Sequence, residues 1–254
     1  MALTEHYPKA QRTAPRRLFP GLPGPLTLTA VRHGQSTANA AFQAAEAVGA
    51  LDVGITCRDA DLSLTALGRE EARALGRWIA SRSEDGLPQS LWVSPYLRTQ
   101  ETAALVVEEL DRAGLPLPEI CTDERLRDRE LGVLEMLTSA AIELRHPQEA
   151  ARRRLLGELR WRPPGGESLT DVAQRLRSAL RDLYEGEANR RVLVVAHDAV
   201  VIMLRHVVDD LQEGELQELS EGGAVLNTSV TRWVRDAKGA LALDCWNERP
   251  HLEG

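Results

Sequence analysis

Two short apolar runs in this chain end in the same way. Leu26-Thr27-Leu28-Thr29-Ala30-Val31 leads into Arg32-His33-Gly34, and Arg191-Val192-Leu193-Val194-Val195-Ala196 leads into His197-Asp198. Small and β-branched residues without polar alternation read as strands buried on both faces, so both runs belong inside a covered sheet. The covers are legible too. Thr65 to Ser81 is expected to be a helix, with Leu67, Ala74, Leu75, Trp78 and Ile79 on one face and Thr65 as its N-cap. Leu91-Trp92-Val93 reads as a short strand closed by Ser94-Pro95 and followed by a loop that delivers Arg98. A helix over Thr99 to Leu110 follows, carried by Ala103, Val106, Val107 and Leu110. Ser168-x-x-Asp171 has the form of a capping box and opens a helix marked by Leu169, Val172, Leu176, Leu180 and Leu183. Near the end, Thr228 to Arg235 and Ala240 to Trp246 flank Asp236-Ala237-Lys238-Gly239 as a hairpin. Strands alternating with helices predict an α/β fold in three α/β/α layers around a mostly parallel central sheet.

The organisation is expected to be one domain over residues 26–254 behind a proline-rich N-terminal arm over residues 1–25. Pro8, Pro15, Pro20, Pro23 and Pro25 deny that arm a regular helix or a central strand. With 254 residues, 43% of them hydrophobic, the chain can bury a core that needs no disulfide or metal staple. Cys57, Cys121 and Cys245 are odd in number, far apart and in no CxxC pairing, which argues against a disulfide scaffold or zinc ribbon. The net charge of -7 is not gathered into a basic face, so nucleic acid and anionic membrane are unexpected partners. No run reaches the roughly 20 apolar residues of a membrane helix, and the start lacks a signal-peptide stretch, so the expected location is cytoplasmic. Ala40 to Ala60 and Met136 to Pro164 read as insertions over a site, and neither has the composition or length of a separate domain.

Ligands of open α/β sheets sit beyond the carboxyl ends of the strands, where loops and helix N-termini converge. His33 and His197 both end such strands, and Arg32 and Arg98 are placed to share their crevice. Two histidines and two arginine forks would surround a tetrahedral dianion. A lone histidine carries little weight, and His6, His146, His206 and His251 read as ordinary structural residues. Neither HxH nor HExxH spacing occurs, so no metal or cofactor is expected.

The string Arg32-His33-Gly34-Gln35-Ser36-Thr37-Ala38-Asn39 resembles the Arg-His-Gly signature of the histidine phosphatase superfamily. The resemblance continues through Leu62-Ser63-Leu64-Thr65-Ala66-Leu67-Gly68 and Ser94-Pro95-Tyr96-Leu97-Arg98-Thr99-Gln100-Glu101-Thr102. It resumes in Leu126-Arg127-Asp128-Arg129-Glu130-Leu131-Gly132, Pro164-Gly165-Gly166-Glu167-Ser168 and Val194-Val195-Ala196-His197-Asp198. It runs roughly from Leu26 to Trp246 and leans toward the phosphoglycerate mutase-like branch, resembling a fructose 2,6-bisphosphatase domain. It implies a metal-independent phosphatase acting on a small phosphorylated molecule. His33 would take the phosphoryl group, Arg32, Arg98 and His197 would stabilise the transition state, and Asn39 would donate to the phosphoryl oxygens. Gly34, which would let the chain pass close, and Asp198 would lie against the substrate.

The acid that protonates the leaving oxygen stays open at this point. Asp128 stands where the family commonly has glutamate, one methylene longer. Glu130 is a neighbouring rival, and the His197-Asp198 pair resembles the acid phosphatase branch, in which the aspartate donates. Glu167 and Ser168 read first as loop and cap residues, Ser94 and Thr99 as turn and cap residues, and Trp161 and Tyr96 as packing at the rim. Two other functions stay open as well. One is a mutase, suggested by Arg152, Arg153, Arg154, Arg160 and Arg162 between the donor motif and Pro164; the other is a non-catalytic phosphate-binding protein. A homodimer is left open.

Overall fold

The computed structural model describes residues 17–83, 86–221 and 223–252. In chain order the elements are β1 (Thr27–Arg32), α1 (Thr37–Ala47), α2 (Ala66–Ala80), β2 (Ser90–Val93), α3 (Leu97–Arg112) and β3 (Glu119–Thr122). Then come α4 (Ser139–Arg145), α5 (Pro147–Arg160), α6 (Leu169–Gly186), β4 (Arg191–Ala196), α7 (Asp198–Val208), α8 (Glu213–Glu221), β5 (Val230–Arg235) and β6 (Leu241–Glu248). The six strands form one sheet in the order β3-β2-β4-β1-β5-β6. β1 to β4 pair parallel, while β5 runs antiparallel to β1 and β6 antiparallel to β5.

Pleating divides the strand side chains between two cores. Leu28, Ala30, Val192 and Val194 pack with Leu176 and Leu180 of α6 and with Val200 and Leu204 of α7. On the opposite face Val31, Leu193 and Val195 meet Leu75 and Ile79 of α2 and Val106 and Leu110 of α3. Burying each such side chain stabilises the fold by roughly 1.5–3 kcal/mol, which is why strands apolar on both faces demand helices on both sides. The expected three-layer architecture is therefore present. Among the described residues no helix is long and apolar enough to cross a membrane.

Local chemistry explains the element starts. Thr65 caps α2 by accepting from Gly68 N, and Ser168 caps α6 in a full capping box with Asp171. Ser36 and Asn39 make the same reciprocal box at α1. Arg98 departs from expectation: α3 begins at Leu97, so Arg98 stands in its first turn and not on a loop. The Thr99 hydroxyl donates back to Ser94 O and Tyr96 O, which winds the helix two residues earlier than its apolar period shows. The hairpin strands also begin later than expected, with register shifts between β5 and β6 at Arg232.

The arm differs as well. Pro8, Pro15 and His6 lie outside the described residues, but the stretch before residue 26 is not separate from the domain. Leu18, Phe19 and Leu22 pack on the α6–α7 core, and the Phe19 ring lies 5.1 Å from that of Tyr184. Arg17 Nε donates to Lys238 O at the hairpin turn, and Asn189 N donates to Gly24 O. Domain packing thus reaches back to about residue 17, because one aromatic and two leucines find apolar partners there.

The loop after β1 is held by backbone against backbone. Thr37 N donates to Ser63 O and Thr65 N to Gln35 O, and Ser36 bridges Leu64. The approach is so close that a Cβ on Gly34 would collide with Gly68 O, and one on Gly68 would collide with Gln35 O. Gly68→Ala is therefore expected to destabilise the fold by about 1–3 kcal/mol through overpacking. Denaturant unfolding measures this, and an unchanged midpoint would show that the loop yields freely.

Candidate active site

His33 follows β1 and His197 follows β4, and the parallel register that sets Arg32 opposite Ala196 makes them neighbours. His33 N donates to Ala196 O at 3.0 Å, and the two rings lie 5.3 Å apart edge to face. His33 is only 2% exposed. Its Nδ1 lies 2.7 Å from Gly34 O, and because a carbonyl only accepts, Nδ1 carries the proton. On the other side Arg98 Nε donates to His33 Nε2 at 3.1 Å, so Nε2 presents a lone pair. Burial pushes the His33 pKa well below the ordinary histidine value, and the neighbouring His197, Arg98 and Arg32 push it further the same way. His33 is thus a neutral imidazole with its basic nitrogen turned toward the cleft.

The guanidinium of Arg98, 3% exposed, has all five donors engaged. Besides His33, Nη1 donates to Asp59 O and Oδ1, and Nη2 donates to Asp59 Oδ2 and Asp128 Oδ2. Arg32 donates from Nη1 to Val225 O at 2.5 Å, while its buried Nε has no partner among the described residues. His197 Nε2 pairs with Ser94 Oγ at 2.8 Å. Its Nδ1 lies 3.3 Å from Asp128 Oδ2, within ion-pair range but without a well-formed hydrogen bond. Buried polar atoms without partners are rare, so Arg32 Nε, in the same cleft as His33, is informative.

Asn39 Oδ1 accepts from Ser36 N and from Asn227 Nδ2, which leaves its amino group as the end available to a ligand. Asn227 also donates to His33 O at 2.9 Å. Next to it, Thr228 holds φ at 55°, a left-handed conformation strained for a β-branched residue, and its N–H donates to Arg32 O. Gly34, expected to bind substrate, has its backbone donor already engaged. Its N–H is taken by Thr102 Oγ1, so it serves the site through close packing and through the carbonyl that orients His33.

The three candidate acids occupy different settings. Asp128 lies at the centre: burial raises its pKa, but His197, Arg98 and the Arg129 N–H outweigh this and hold it well below the usual carboxylate range. Asp198 lines the same cleft from the first turn of α7, with Oδ1 accepting from Ala199 N. Glu130 turns away toward Arg127 with half its side chain exposed. Glu167 instead braces the loop that carries Asp128, accepting from Arg127 Nη2, Arg175 Nε and Glu130 N. Ser168 is the cap of α6, and Tyr96 packs edge-on against His197 at 5.0 Å.

The cleft, about 310 Å³, is walled by Arg32, His33, Asn39, Asp59, Asp128 and Asp198 at one end. Phe42, Met136, Ile142, Arg153 and Trp161 extend it, so both stretches expected to overhang a site do contribute to it. A larger hollow of about 460 Å³ lies between α2 and β1, but no histidine or carboxylate among the described residues lines it. Asp59, Asn227 and Glu135 join the site without having been singled out by the sequence. Asp59 stands three residues before Leu62-Ser63, Asn227 opens a polar run before a buried strand, and Glu135 lies seven residues past Asp128. Burial, with Asp59 and Asp128 nearby, raises the Glu135 pKa although Leu131 N donates to it.

Comparison with known proteins agrees with this geometry. The family model of the histidine phosphatase superfamily (branch 1) matches residues 28–249. The chain is 34% identical over 165 residues to a 2,3-bisphosphoglycerate-dependent phosphoglycerate mutase 2 of Gloeobacter violaceus, covering 63% of this chain and 70% of that one. It is also 34% identical over 154 residues to a 6-phosphofructo-2-kinase/fructose-2,6-bisphosphatase of Gallus gallus, covering 60% of this chain but 29% of that larger protein. The structure of a mycobacterial glucosyl-3-phosphoglycerate phosphatase in complex with VO3 superposes with a TM-score of 0.64 at 27% identity, covering 87% of this chain and 98% of that one. With a family match across nearly the whole domain, this chain belongs to branch 1 of the histidine phosphatase superfamily.

Proposed function

We propose that this protein hydrolyses a phosphomonoester of a small molecule through a phosphohistidine on His33, without a metal ion. The observation that carries the reading is the neutral Nε2 of His33 flanked by Arg32 Nε, which has no partner among the described residues, and by His197 Nδ1, which has only a 3.3 Å contact to Asp128 Oδ2. A phosphoryl dianion seated there gives both groups acceptors. In the first step Arg98 Nε passes from Nε2 to a phosphoryl oxygen, the freed Nε2 lone pair attacks phosphorus, and the bond to the leaving oxygen breaks. Arg32, Arg98, His197 and Asn39 hold the equatorial oxygens by charge that is already in place. The leaving oxygen takes a proton from Asp128. In the second step Asp128, now a carboxylate, takes a proton from water as that water attacks phosphorus, which releases phosphate and restores His33.

Asp128 must be protonated for the first step, although in the free protein Arg98 and His197 hold it ionised. A bound dianion draws those two groups to itself and repels the Asp128 charge, and both effects raise the pKa. Asp198 and Glu135 line the same cleft and are the rivals.

A mutase is the second reading, and one observation favours it. Arg153 lines the far cleft beside Trp161 with its guanidinium 5.3 Å from that ring, where a second acidic group of a substrate could pair with it. Incubation with 3-phosphoglycerate and a 2,3-bisphosphate primer decides between the readings: formation of 2-phosphoglycerate selects the mutase. A phosphate-binding protein without turnover is disfavoured, since nucleophile, clamp and carboxylate are all in place.

Three outcomes are expected. Hydrolysis of an aryl phosphate persists in excess chelator and is abolished in His33→Ala; full activity of that variant would remove His33 from the reaction. Asp128→Asn lowers turnover of an alkyl phosphate by about 10²–10⁴ but spares the aryl ester, whose leaving group needs no proton. The same asymmetry in Asp198→Asn or Glu135→Gln instead would move the role there. Because a histidine is nucleophilic only above its pKa and that of His33 is lowered, the His33 imidazole of the free protein should stay neutral well below pH 6.5 in an NMR titration. Titration at 6.5 or above would show that the attacking imidazole is not held as described.

A further inference from the structure

We propose that Asp59 is a built-in rival of the substrate, a positioning residue whose carboxylate occupies Arg98 in the free protein and so weakens the site's hold on phosphate dianions. The inference rests on the phosphatase reading and deepens it. Asp59 contributes three of the acceptors around Arg98, its carbonyl and both carboxylate oxygens. A carboxylate in a guanidinium fork uses the same paired donors that grip a phosphoryl group.

Phosphoryl binding at His33 Nε2 has to take donors from Arg98, and none is spare. Nε points at Nε2 itself, and both Nη2 hydrogens are shared between Asp59 Oδ2 and Asp128 Oδ2. Asp128 has the Arg129 N–H and His197 to fall back on. Among the described residues the Asp59 carboxylate has no hydrogen-bond partner besides Arg98, so the arriving dianion either displaces it or shares the guanidinium against its charge. The backbone link from Nη1 to Asp59 O, at 2.7 Å, does not depend on that carboxylate and keeps Arg98 anchored.

Location suits this exchange. Asp59 opens a single 3-10 turn, Asp59–Asp61, at the end of a stretch without helix or strand that begins after α1. Its side chain is 17% exposed where Arg98 is 3%, so the carboxylate is on the solvent side of the pair and lines the cleft mouth. A clamp that meets phosphate already half-neutralised releases its product more readily. A residue that merely propped Arg98 in place would act in the opposite sense, since its loss would loosen the clamp.

The test is titration of the whole protein with inorganic phosphate and with orthovanadate by calorimetry, together with kcat and KM on an aryl phosphate. Asp59→Asn should bind phosphate more tightly, on the order of tenfold, because a negative charge is removed within a few ångströms of the bound dianion. KM should fall with it while kcat changes less. Asp59→Ser, which retains the backbone carbonyl, should tighten binding likewise and serves if the Asn variant does not fold. Asp59→Glu restores the charge and should return affinity toward the parent value. Unchanged or weaker phosphate binding in the Asn and Ser variants overturns the proposal. Should the parent protein fail to bind phosphate in competition with substrate, or bind it equally well as Arg98→Ala, the phosphatase site itself is misassigned and the inference falls with it.

Discussion

The parallel pairing of β1 with β4 is the contact on which the site depends. It sets Arg32 opposite Ala196 and places the next residue of each strand, His33 and His197, side by side just beyond the sheet. A shift of one residue would turn one of the histidines to the other face of the pleat. The register is held because both strands are buried on both faces, and any slip would move Leu28, Ala30, Val192 and Val194 out of one core. The catalytic geometry proposed here is thus inherited from apolar packing, with the hydrogen bond from His33 N to Ala196 O as its last rung.

From that rung outward, the polar groups fall into two kinds. Some are fully satisfied and rigid: His33 Nδ1 on Gly34 O, His197 Nε2 on Ser94 Oγ, and Glu167 between Arg127 and Arg175. Others are left incomplete: Arg32 Nε has no partner among the described residues, and His197 Nδ1 has only the long contact to Asp128 Oδ2. Burying an unpartnered donor is unfavourable by about 1–3 kcal/mol, and such groups persist where the rest of the fold over-determines them. The left-handed Thr228, whose N–H braces the Arg32 carbonyl, is a second strained feature at the same place.

The layers, the two histidine-bearing strands and the sequential caps were legible because each is written locally: an apolar period, a Ser-x-x-Asp, a strand that stops at His. The start of α3 was not, since Leu97 and Arg98 do not continue the apolar face and only the Thr99 back-bonds reveal that the helix has begun. Asp59 and Asn227 escape a sequence reading for a different reason. Their partners, Arg98 and His33, lie 39 and 194 residues away, and no local pattern marks a carboxylate or amide as aimed across such a separation. Prolines make the stretch before residue 26 look detached, yet Leu18, Phe19 and Leu22 find a place on the α6–α7 core, where proline density does not weaken side-chain burial.

Arg98 joins the two halves of the proposed chemistry, because one nitrogen, Nη2, bonds both Asp59 and Asp128. While Arg98 stays there, Asp128 is too stable as an anion to give up a proton it does not hold. In the proposed reaction a phosphoryl dianion takes up Nη2 while the link from Nη1 to Asp59 O holds Arg98 in place, so Asp128 shares its cation with an anionic neighbour and its pKa rises on both counts. The shorter aspartate is suited to that arrangement, since it reaches Arg98 and His197 together from the loop that Glu167 fixes. On the proposed mechanism substrate binding and the readiness of the acid are one event, since a molecule without a dianionic phosphoryl group would leave Asp128 ionised.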